Sequence, residues 1–326
     1  MQHGARTMSI KIYSPSDFPS YLPKLNLLYD DLFKDGKGFR SKLVGSLGER
    51  IGLDEKVIQL LAQTIEFIHN ASLLHDDLID RSVLRRGKPA AWTKYTPEYA
   101  VLAGDYLLAR VMVNLSGHGN VHLIQYTAEV ISDLLEGEWI QDSLVKDFSI
   151  KLEDLNRVHN LKTGSLFKWC IRAPFIAKER YTPELHQHLE ECGTALGLLF
   201  QRSDDLLDFD IRNDEGKAVL GDLKSGYLNS FAVWVLRGLP DAVFAKAIQA
   251  QALGEFKAIV GERHFEMRAA EFDAENSRVI ELYFHRLQEL EPLLANGGGQ
   301  SGSADERKVL EILKQLPQPL YWRKKP

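Results

Sequence analysis

The sequence LLHDDLIDRSVLRRGKP, residues 73–89, decides how this chain is interpreted. It ends an apolar run with spacings of three and four residues, which predicts a helix from about residue 54 to residue 80. The last turn of that helix carries three acids: Asp76, Asp77 and Asp80. Positions i and i+4 share a helix face, so the first and third acids are expected side by side.

A later stretch repeats this pattern. FQRSDDLLD, residues 200–208, ends a second predicted helix that starts near Pro183 and runs to about Phe209. It has three acids at the same spacing: Asp204, Asp205 and Asp208. A single motif of this kind is ordinarily a solvated helix face. Two copies, each ending an apolar run, indicate a common function.

The acids predict a metal, and the metal predicts a phosphorylated ligand. Two carboxylates ~4 Å apart repel by about 1 kcal/mol in water, so two clusters facing one cavity need counter-cations. Oxygen ligands with no His or Cys at ligand spacing favour Mg²⁺ over Zn²⁺, and Mg²⁺ completes its shell with water and substrate phosphate. Polar residues suited to phosphate lie around both motifs: Lys37, Arg40, Arg85, Arg86, Lys162, Thr163 and Lys217.

The composition sets the fold class. The 326 residues are 44% hydrophobic, and helical spacing dominates, which predicts an all-α chain of about ten helices. Further helices are predicted over 97–115, 121–146, 152–173, 228–260, 263–291 and 304–315. Short connections favour one large helical bundle over residues 1–326, with a flexible Gly- and Ser-rich loop near 295–306.

The same numbers exclude several classes of protein. A net charge of −5 gives no basic field for nucleic acid. Two cysteines exclude a disulfide scaffold and favour a reduced cytoplasmic setting. We find no secretion signal and no uncharged apolar run of the ~18 residues that a membrane span requires.

At this point the residues resemble those of the trans-isoprenyl diphosphate synthases, or polyprenyl synthetases. HDDLIDRSVLRRGKP is similar to the family's first aspartate-rich motif, and FQRSDDLLDFD is similar to the second. The similarity continues in order from about residue 36 to 230 through GKGFR, EGEWIQ, LKTGSLF and GDLKSG. It implies an isoprenoid synthase fold, a helical bundle around a central cavity, and a homodimer.

The resemblance also implies roles for individual residues. Roughly three Mg²⁺ ions per site, bridging the diphosphate of an allylic substrate, would be held by Asp76, Asp77, Asp80, Asp204, Asp205 and Asp208. That diphosphate would also be bound by Arg85, Lys162, Thr163, Gln201 and Lys217. Isopentenyl diphosphate would be bound by Lys37, Arg40, His69, Arg86 and Phe200, with Gln201 also bordering its tail. The catalytic set would be Asp76, Asp77, Asp80, Arg85, Lys162 and Asp204.

The implied reaction is head-to-tail prenyl transfer. Metals and cations stabilise the leaving diphosphate, and the isopentenyl double bond attacks the allylic carbocation. Ala71 and Ser72 are small at positions where a farnesyl-producing enzyme would carry an aromatic blocker, so a geranylgeranyl or longer product is expected. Further candidates for the chain-length pocket are Phe67, Ile68 and Met112.

The sequence departs from the family pattern at two positions. The family's G-K-R-x-R-P becomes GKGFRS, which puts Gly38 in the place of a cation, and Tyr227 replaces a lysine in GDLKSGY. Lys224 is near enough in sequence to substitute, and the terminal RKKP, residues 323–326, is either a solvated tail or a cover for the site.

Three alternatives remain open. A class I terpene cyclase also ionises a prenyl diphosphate, but it normally carries a different second motif. A non-catalytic subunit that modulates a related synthase would explain Gly38 and Tyr227, but it would have no need of six repelling acids. A helical scaffold with acidic patches leaves the order of the motifs unexplained.

Overall fold

The computed structural model describes residues 17–27, 38–85, 87–210, 219–295 and 302–321. This described part is almost entirely helical, which confirms the predicted all-α class. The helices are α1 (Phe39–Arg50), α2 (Glu55–Ile79), α3 (Ala91–Lys94), α4 (Pro97–His118), α5 (Val121–Leu144), α6 (Leu152–His159), a π-helical turn (Asn160–Gly164), α7 (Ser165–Ala177), α8 (Pro183–Leu207), α9 (Gly221–Ser225), α10 (Ser230–Leu236), α11 (Asp241–Ala247), α12 (Leu253–Val260), α13 (Glu262–Ala295), α14 (Gly302–Lys314) and α15 (Pro317–Tyr321). Residues 23–27 are also helical.

The described residues form two compact units. The first contains the described part of residues 1–128 together with Trp169–Tyr181. The second contains the described parts of residues 129–168 and 182–326. The single domain that the sequence predicts over residues 1–326 stays a prediction. Among the described residues, no helix is both long and apolar enough to span a membrane.

In the first unit, α2 packs against α1 and α4. The hydroxyl of Thr96 caps α4 by accepting from the amide of Tyr99 (3.2 Å), and Pro97 is favoured at the first helical position. The helices α2 and α4 run antiparallel, because Gln63 near the start of α2 meets Asn114 near the end of α4 (3.3 Å), while His75 meets Gly104. A Cβ at Gly104 would lie 2.3 Å from His75 Nε2, so glycine at this position makes room for the His75 imidazole.

In the second unit, α8 packs against α13 and the π-helical turn. A cluster of aromatic rings, with centroids 5.1 to 6.4 Å apart, forms part of its core: Phe209, Phe231, Phe256, Phe265 and Phe272. Phe209 directly follows Asp208, so burial of this ring fixes where the second aspartate motif ends.

Several predicted elements require correction. The predicted helix over 152–173 is interrupted by the π-helical turn. The stretch 228–260 divides into α10 and α11 around Gly238 (φ 79°) and Pro240, and residues 248–252 separate α11 from α12. The hairpin of β1 (Leu84–Arg85) and β2 (Lys88–Pro89) was not anticipated. Of the predicted flexible loop near 295–306, residues 296–301 lie outside the described residues, and α14 begins at Gly302.

Both cysteines are expected to be unreactive in the folded chain. Cys170 and Cys192 are fully buried, and burial raises the pKa of each thiol to about 12. Because the thiolate is the nucleophile, labelling by a disulfide reagent at pH 8 should be about 10²-fold or more slower than for a free thiol. The guanidinium-unfolded chain, in which two thiols should react at once, is the control. Rapid native labelling would contradict this burial.

Candidate active site

The first aspartate motif ends α2. The amide of Asp80 donates to the carbonyl of Asp76 (2.8 Å), one turn earlier. Asp76 is half-buried, Asp77 is buried and Asp80 is exposed. The last turn of α2 contains no basic residue, so three carboxylates stand at the negative end of the helix dipole. This arrangement is unfavourable for the helix alone and favourable for a helix that binds a cation.

Arg85 neutralises one of these acids. Its Nε donates to both oxygens of Asp77 (2.9 and 3.1 Å), and its Nη2 also contacts Asp77 Oδ1. Burial alone would lower the pKa of Arg85, but Asp77 and the two neighbouring acids raise it above the usual arginine value. The hairpin that carries Arg85 is held to the motif, because the amide of Ser82 donates to the carbonyl of Asp77 (2.8 Å). The adjacent Arg86 lies outside the described residues.

The basic turn near the start brings two predicted residues together. Arg40 Nη1 lies 3.2 Å from His69 Nε2, so α1 and α2 place a cation and an imidazole in contact. Gly38 caps α1 in the left-handed region (φ 57°), where glycine is favoured. The Ser41 hydroxyl donates to the carbonyl of Gly38 (3.0 Å), and the Ser41 amide donates to Glu66 Oε1 (3.2 Å). The departure at Gly38 therefore has a backbone role. Lys37 lies outside the described residues.

The predicted chain-length residues lie on α2 and α4. Phe67, Ile68 and Ala71 are buried, whereas Ser72 and Met112 are half-buried. Ala71 is one turn from His75, the residue that contacts α4 at Gly104, so it lies on the face of α2 that meets α4.

The second aspartate motif ends α8, and Asp205 and Asp208 accept hydrogen bonds from residues that follow later in the chain. Asp205 is buried, and its Oδ2 accepts from the amide (3.0 Å) and hydroxyl (2.5 Å) of Ser230. Burial raises the pKa of Asp205 to about 6, against the opposing effect of these hydrogen bonds. Asp208 is also buried and accepts from the amide of Gly221 (2.7 Å). Asp204 is half-buried and is the most accessible acid of the three.

A buried polar layer that the sequence did not reveal lies beside Asp205. His159 Nε2 is 3.6 Å from Asp205 Oδ2, and burial lowers the pKa of His159 to about 3, so its imidazole is neutral at pH 7. Arg202 is held by two amide oxygens, Asn276 Oδ1 (2.8 Å) and Asn156 Oδ1 (3.3 Å). These residues stand at ordinary helical positions, so no sequence pattern separates them from surface residues.

The π-helical turn positions Lys162 and Thr163. A Cβ at Gly197 of α8 would lie 2.4 Å from Gly164 Cα, so backbone packs directly on backbone here. Thr163 Oγ1 donates to Gln201 Oε1 (3.0 Å), and Gln201 Nε2 donates to Asp205 Oδ1 (3.1 Å). Three predicted residues therefore form one chain of hydrogen bonds. Phe200 is half-buried and packs on Phe167, with ring centroids 5.7 Å apart.

Glu138 is a site residue that the sequence analysis did not single out. Its buried carboxylate forms an ion pair with Lys162, the predicted allylic-diphosphate ligand. A Cβ at Gly137 would lie 2.7 Å from Lys162 Cγ, so glycine at this position admits the lysine stem. The stretch EGEWIQ carried a signal, because glycine is disfavoured in the interior of a helix.

The remaining predicted cations are partly described. Lys224 Nζ donates to the carbonyl of Val219 (3.0 Å), which follows the second motif. Tyr227, which replaces a lysine of the family pattern, is half-buried and packs on the aromatic core. Lys217 and the terminal residues 323–326 lie outside the described residues.

The donor chemistry fits Mg²⁺. Among the described residues, no three His, Cys, Asp or Glu side chains already form a metal cluster. The accessible donors of the motifs are carboxylate oxygens, and Mg²⁺ characteristically takes one or two of these and completes its shell with water and phosphate. The residues therefore suit a magnesium ion that arrives with a phosphorylated substrate.

Curated relatives of this chain are named as long-chain prenyl diphosphate synthases. The octaprenyl diphosphate synthase of Escherichia coli is 34% identical over 192 residues, which are 59% of this chain and 59% of that protein. The chloroplastic solanesyl diphosphate synthase 1 of Arabidopsis thaliana is 35% identical over 212 residues, which are 63% of this chain and 52% of that protein. The chain thus spans just over half the length of these relatives.

Solved structures share the fold. The polyprenyl synthase of Caulobacter crescentus, complexed with calcium and isoprenyl diphosphate, has a TM-score of 0.74 and 26% identity, covering 94% of this chain and 91% of that one. The isoprenoid synthase fold that the resemblance implied is therefore confirmed. The sequence profile of the polyprenyl synthetase family matches residues 23–261, most of the chain. The chain belongs to the polyprenyl synthetase family.

Proposed function

We propose that this chain is a head-to-tail prenyltransferase that condenses isopentenyl diphosphate with an allylic prenyl diphosphate. Its product is a geranylgeranyl or longer trans-polyprenyl diphosphate. The observation that carries the proposal is the pair of aspartate-bearing helix ends, on α2 and α8, in a chain of the polyprenyl synthetase family. The names of the E. coli and Arabidopsis relatives support a long-chain product.

The aspartates differ in how deeply they are buried. Asp77 is buried and bound by Arg85, and Asp205 and Asp208 are buried and accept hydrogen bonds from Ser230 and Gly221. The more accessible acids are the best direct ligands for about three Mg²⁺ ions per site: Asp76, Asp80 and Asp204. Bound Mg²⁺ would neutralise charge that builds on the departing diphosphate. Asp77 keeps Arg85 in position, and Asp205 and Asp208 fix the end of α8.

The chain's own cations complete the diphosphate sites. Arg85 and Lys162 bind the allylic diphosphate, and their ion pairs with Asp77 and Glu138 hold both side chains ready for it. Arg40 and His69 bind isopentenyl diphosphate. The predicted roles of the residues outside the described ranges belong to the same proposal: Lys37, Arg86 and Lys217.

The reaction then balances without a further base. The allylic C–O bond breaks, and its electron pair leaves with the diphosphate. The isopentenyl double bond attacks the carbocation, and the departing diphosphate accepts the proton that is lost. Apolar side chains exclude water, which would otherwise convert the carbocation to an alcohol.

Product analysis tests the function. The purified chain is incubated with Mg²⁺, isopentenyl diphosphate and, separately, dimethylallyl, geranyl or farnesyl diphosphate, and products are read by mass spectrometry with an EDTA control. We expect metal-dependent elongation. Hydrocarbon release from a prenyl diphosphate alone would identify a terpene cyclase, and elongation only after a partner chain is added would identify a modulating subunit.

Replacing Ala71 by Phe should shorten the product. Ala71 is fully buried on the face of α2 that meets α4, so a phenyl ring there fills space that a growing chain would enter. The average product is expected to lose at least one isoprene unit, and overpacking should cost about 1–3 kcal/mol of stability. Ala71→Ser, which nearly preserves volume, is the control. An unchanged product from active Ala71→Phe would remove Ala71 from the pocket.

We also propose a homodimer that works in the cytoplasm. Large apolar side chains are exposed on α4 and α5, including Leu102, Val121 and Trp139, and such surfaces favour burial by a second copy. Two buried free thiols suit a reducing compartment. Light scattering of the purified chain tests the assembly, and a monomer at micromolar concentration would refute the dimer.

A further inference from the structure

Asp17 and Phe18, which precede the helical residues 23–27, both contact α2, and Asp17 also contacts α4. We call Asp17 and Phe18 the N-terminal plug. The Asp17 side chain is 2% exposed. Its carboxylate accepts from Gln63 Nε2 of α2 (2.5 Å) and from Arg110 Nη2 and Asn114 Nδ2 of α4 (2.9 and 3.1 Å). A buried acid with three donors on two helices ties those helices together.

The rest of the plug faces the same contact. Phe18 is 6% exposed and packs edge-on against Phe67 of α2, with ring centroids 6.0 Å apart. The Tyr106 hydroxyl of α4 donates to the carbonyl of Asp17 (3.0 Å). The plug therefore presents an aromatic ring toward Phe67 and a charged cluster beyond it.

Along α2, the size and polarity of the side chains change with distance from the aspartates. Small residues, Ser72 and Ala71, lie within five residues of Asp76. Phe67 follows at about 13 Å along the helix and Gln63 at about 20 Å, from a rise of ~1.5 Å per residue. The order is small, then aromatic, then polar, which suits a pocket for an apolar chain with a closed end.

We propose that the N-terminal plug is the floor of the prenyl-chain pocket and limits product length. This inference rests on the proposed function. An apolar chain that passed Phe67 would displace Phe18 and then separate the buried carboxylate of Asp17 from its hydrogen-bond donors, which costs free energy. Beyond the plug, the surface has an open depression of about 370 Å³ that Asp17, Gln63 and Asn114 help to line. Opening the floor joins the pocket to that space.

The test is product length in plug variants. Phe18→Ala and Asp17→Ala should each shift the most abundant product upward by at least one isoprene unit. Phe18→Leu is a milder change and should give a smaller upward shift. It replaces Phe18→Ala in the test if Phe18→Ala fails to fold. Asp17→Asn keeps one acceptor oxygen and most of the volume, so it should retain the wild-type product. Tyr21→Ala, on an 80% exposed side chain of the same segment, is the matched control.

The outcomes separate this inference from the proposed function. Wild-type elongation with longer products from the plug variants supports both. Wild-type elongation with unchanged product length from folded, active Phe18→Ala or Phe18→Leu protein overturns the floor and leaves the prenyltransferase intact. A wild-type chain that elongates no primer refutes the proposed function, and the floor with it.

Discussion

Asp76→Asn is expected to lower kcat for prenyl transfer by about 10³-fold, because it removes one negative charge from a proposed metal ligand where transition-state charge is stabilised. The same change should raise the melting temperature. Asp76 stands one turn from Asp80 at the negative end of α2, where the last turn contains no basic residue and the single charge of Arg85 offsets only part of the charge of the three acids. Removing the charge relieves roughly 0.3–1 kcal/mol of repulsion.

Activity and stability therefore move in opposite directions, which a purely structural role for Asp76 does not predict. Steady-state kinetics and thermal melts on the same samples measure both. Asp54→Asn is the matched control, because Asp54 is exposed at the other end of α2, where an acid is favourable. It should leave kcat unchanged and slightly lower the melting temperature. Asp76→Asn activity within about threefold of wild type would remove Asp76 from the metal site.

Gly197→Ala is expected to damage both the fold and the site. A Cβ there would lie 2.4 Å from Gly164 Cα and 2.7 Å from Gly164 N, both backbone atoms, so the π-helical turn must move. We expect a loss of about 3 kcal/mol in the free energy of unfolding. Lys162 and Thr163 sit on that turn, and a displacement of ~1 Å should lower kcat/KM by about 10²-fold.

Chemical denaturation and kinetics with varied allylic diphosphate measure these effects. Gly117→Ala is the control, because no heavy atom lies within 4 Å of the Cβ it adds to α4. That variant should gain roughly 0.5–1 kcal/mol from lower entropy of the unfolded chain. A Gly197→Ala protein that melts like wild type and binds its allylic substrate normally would show that the turn tolerates movement.

The long helices were predictable, because apolar residues that recur at spacings of three and four over many residues indicate a helix and not a strand. The expected helices over 54–80 and 183–209 match α2 and α8 to within two residues. The interruption at Asn160–Gly164 was missed, because NLKTG has no proline and the π-helical turn depends on backbone contact between Gly164 and Gly197. The division of 228–260 was missed for a related reason: Gly238 and Pro240 mark one turn only, and apolar residues continue on both sides.

Site residues divide in the same way. Charged residues at motif spacing were found because repelling acids at a helix end are unusual. Glu138, His159 and Arg202 were missed, because each gains its meaning from a partner far away in the sequence or from burial. Asp17 is a similar case, since its partners Gln63, Arg110 and Asn114 lie 46 to 97 residues away.

The sequence by itself determined the helical class, the two aspartate motifs and the candidate residues for phosphate binding, because periodicity and local charge spacing are properties of neighbours along the chain. Only the tertiary structure decided which acids are buried. Asp77 is held by Arg85 and Asp205 by Ser230, whereas Asp76 and Asp204 stay more accessible. All six aspartates look alike in sequence, and they differ only because packing buries some of them, and a buried carboxylate requires hydrogen-bond partners from other elements.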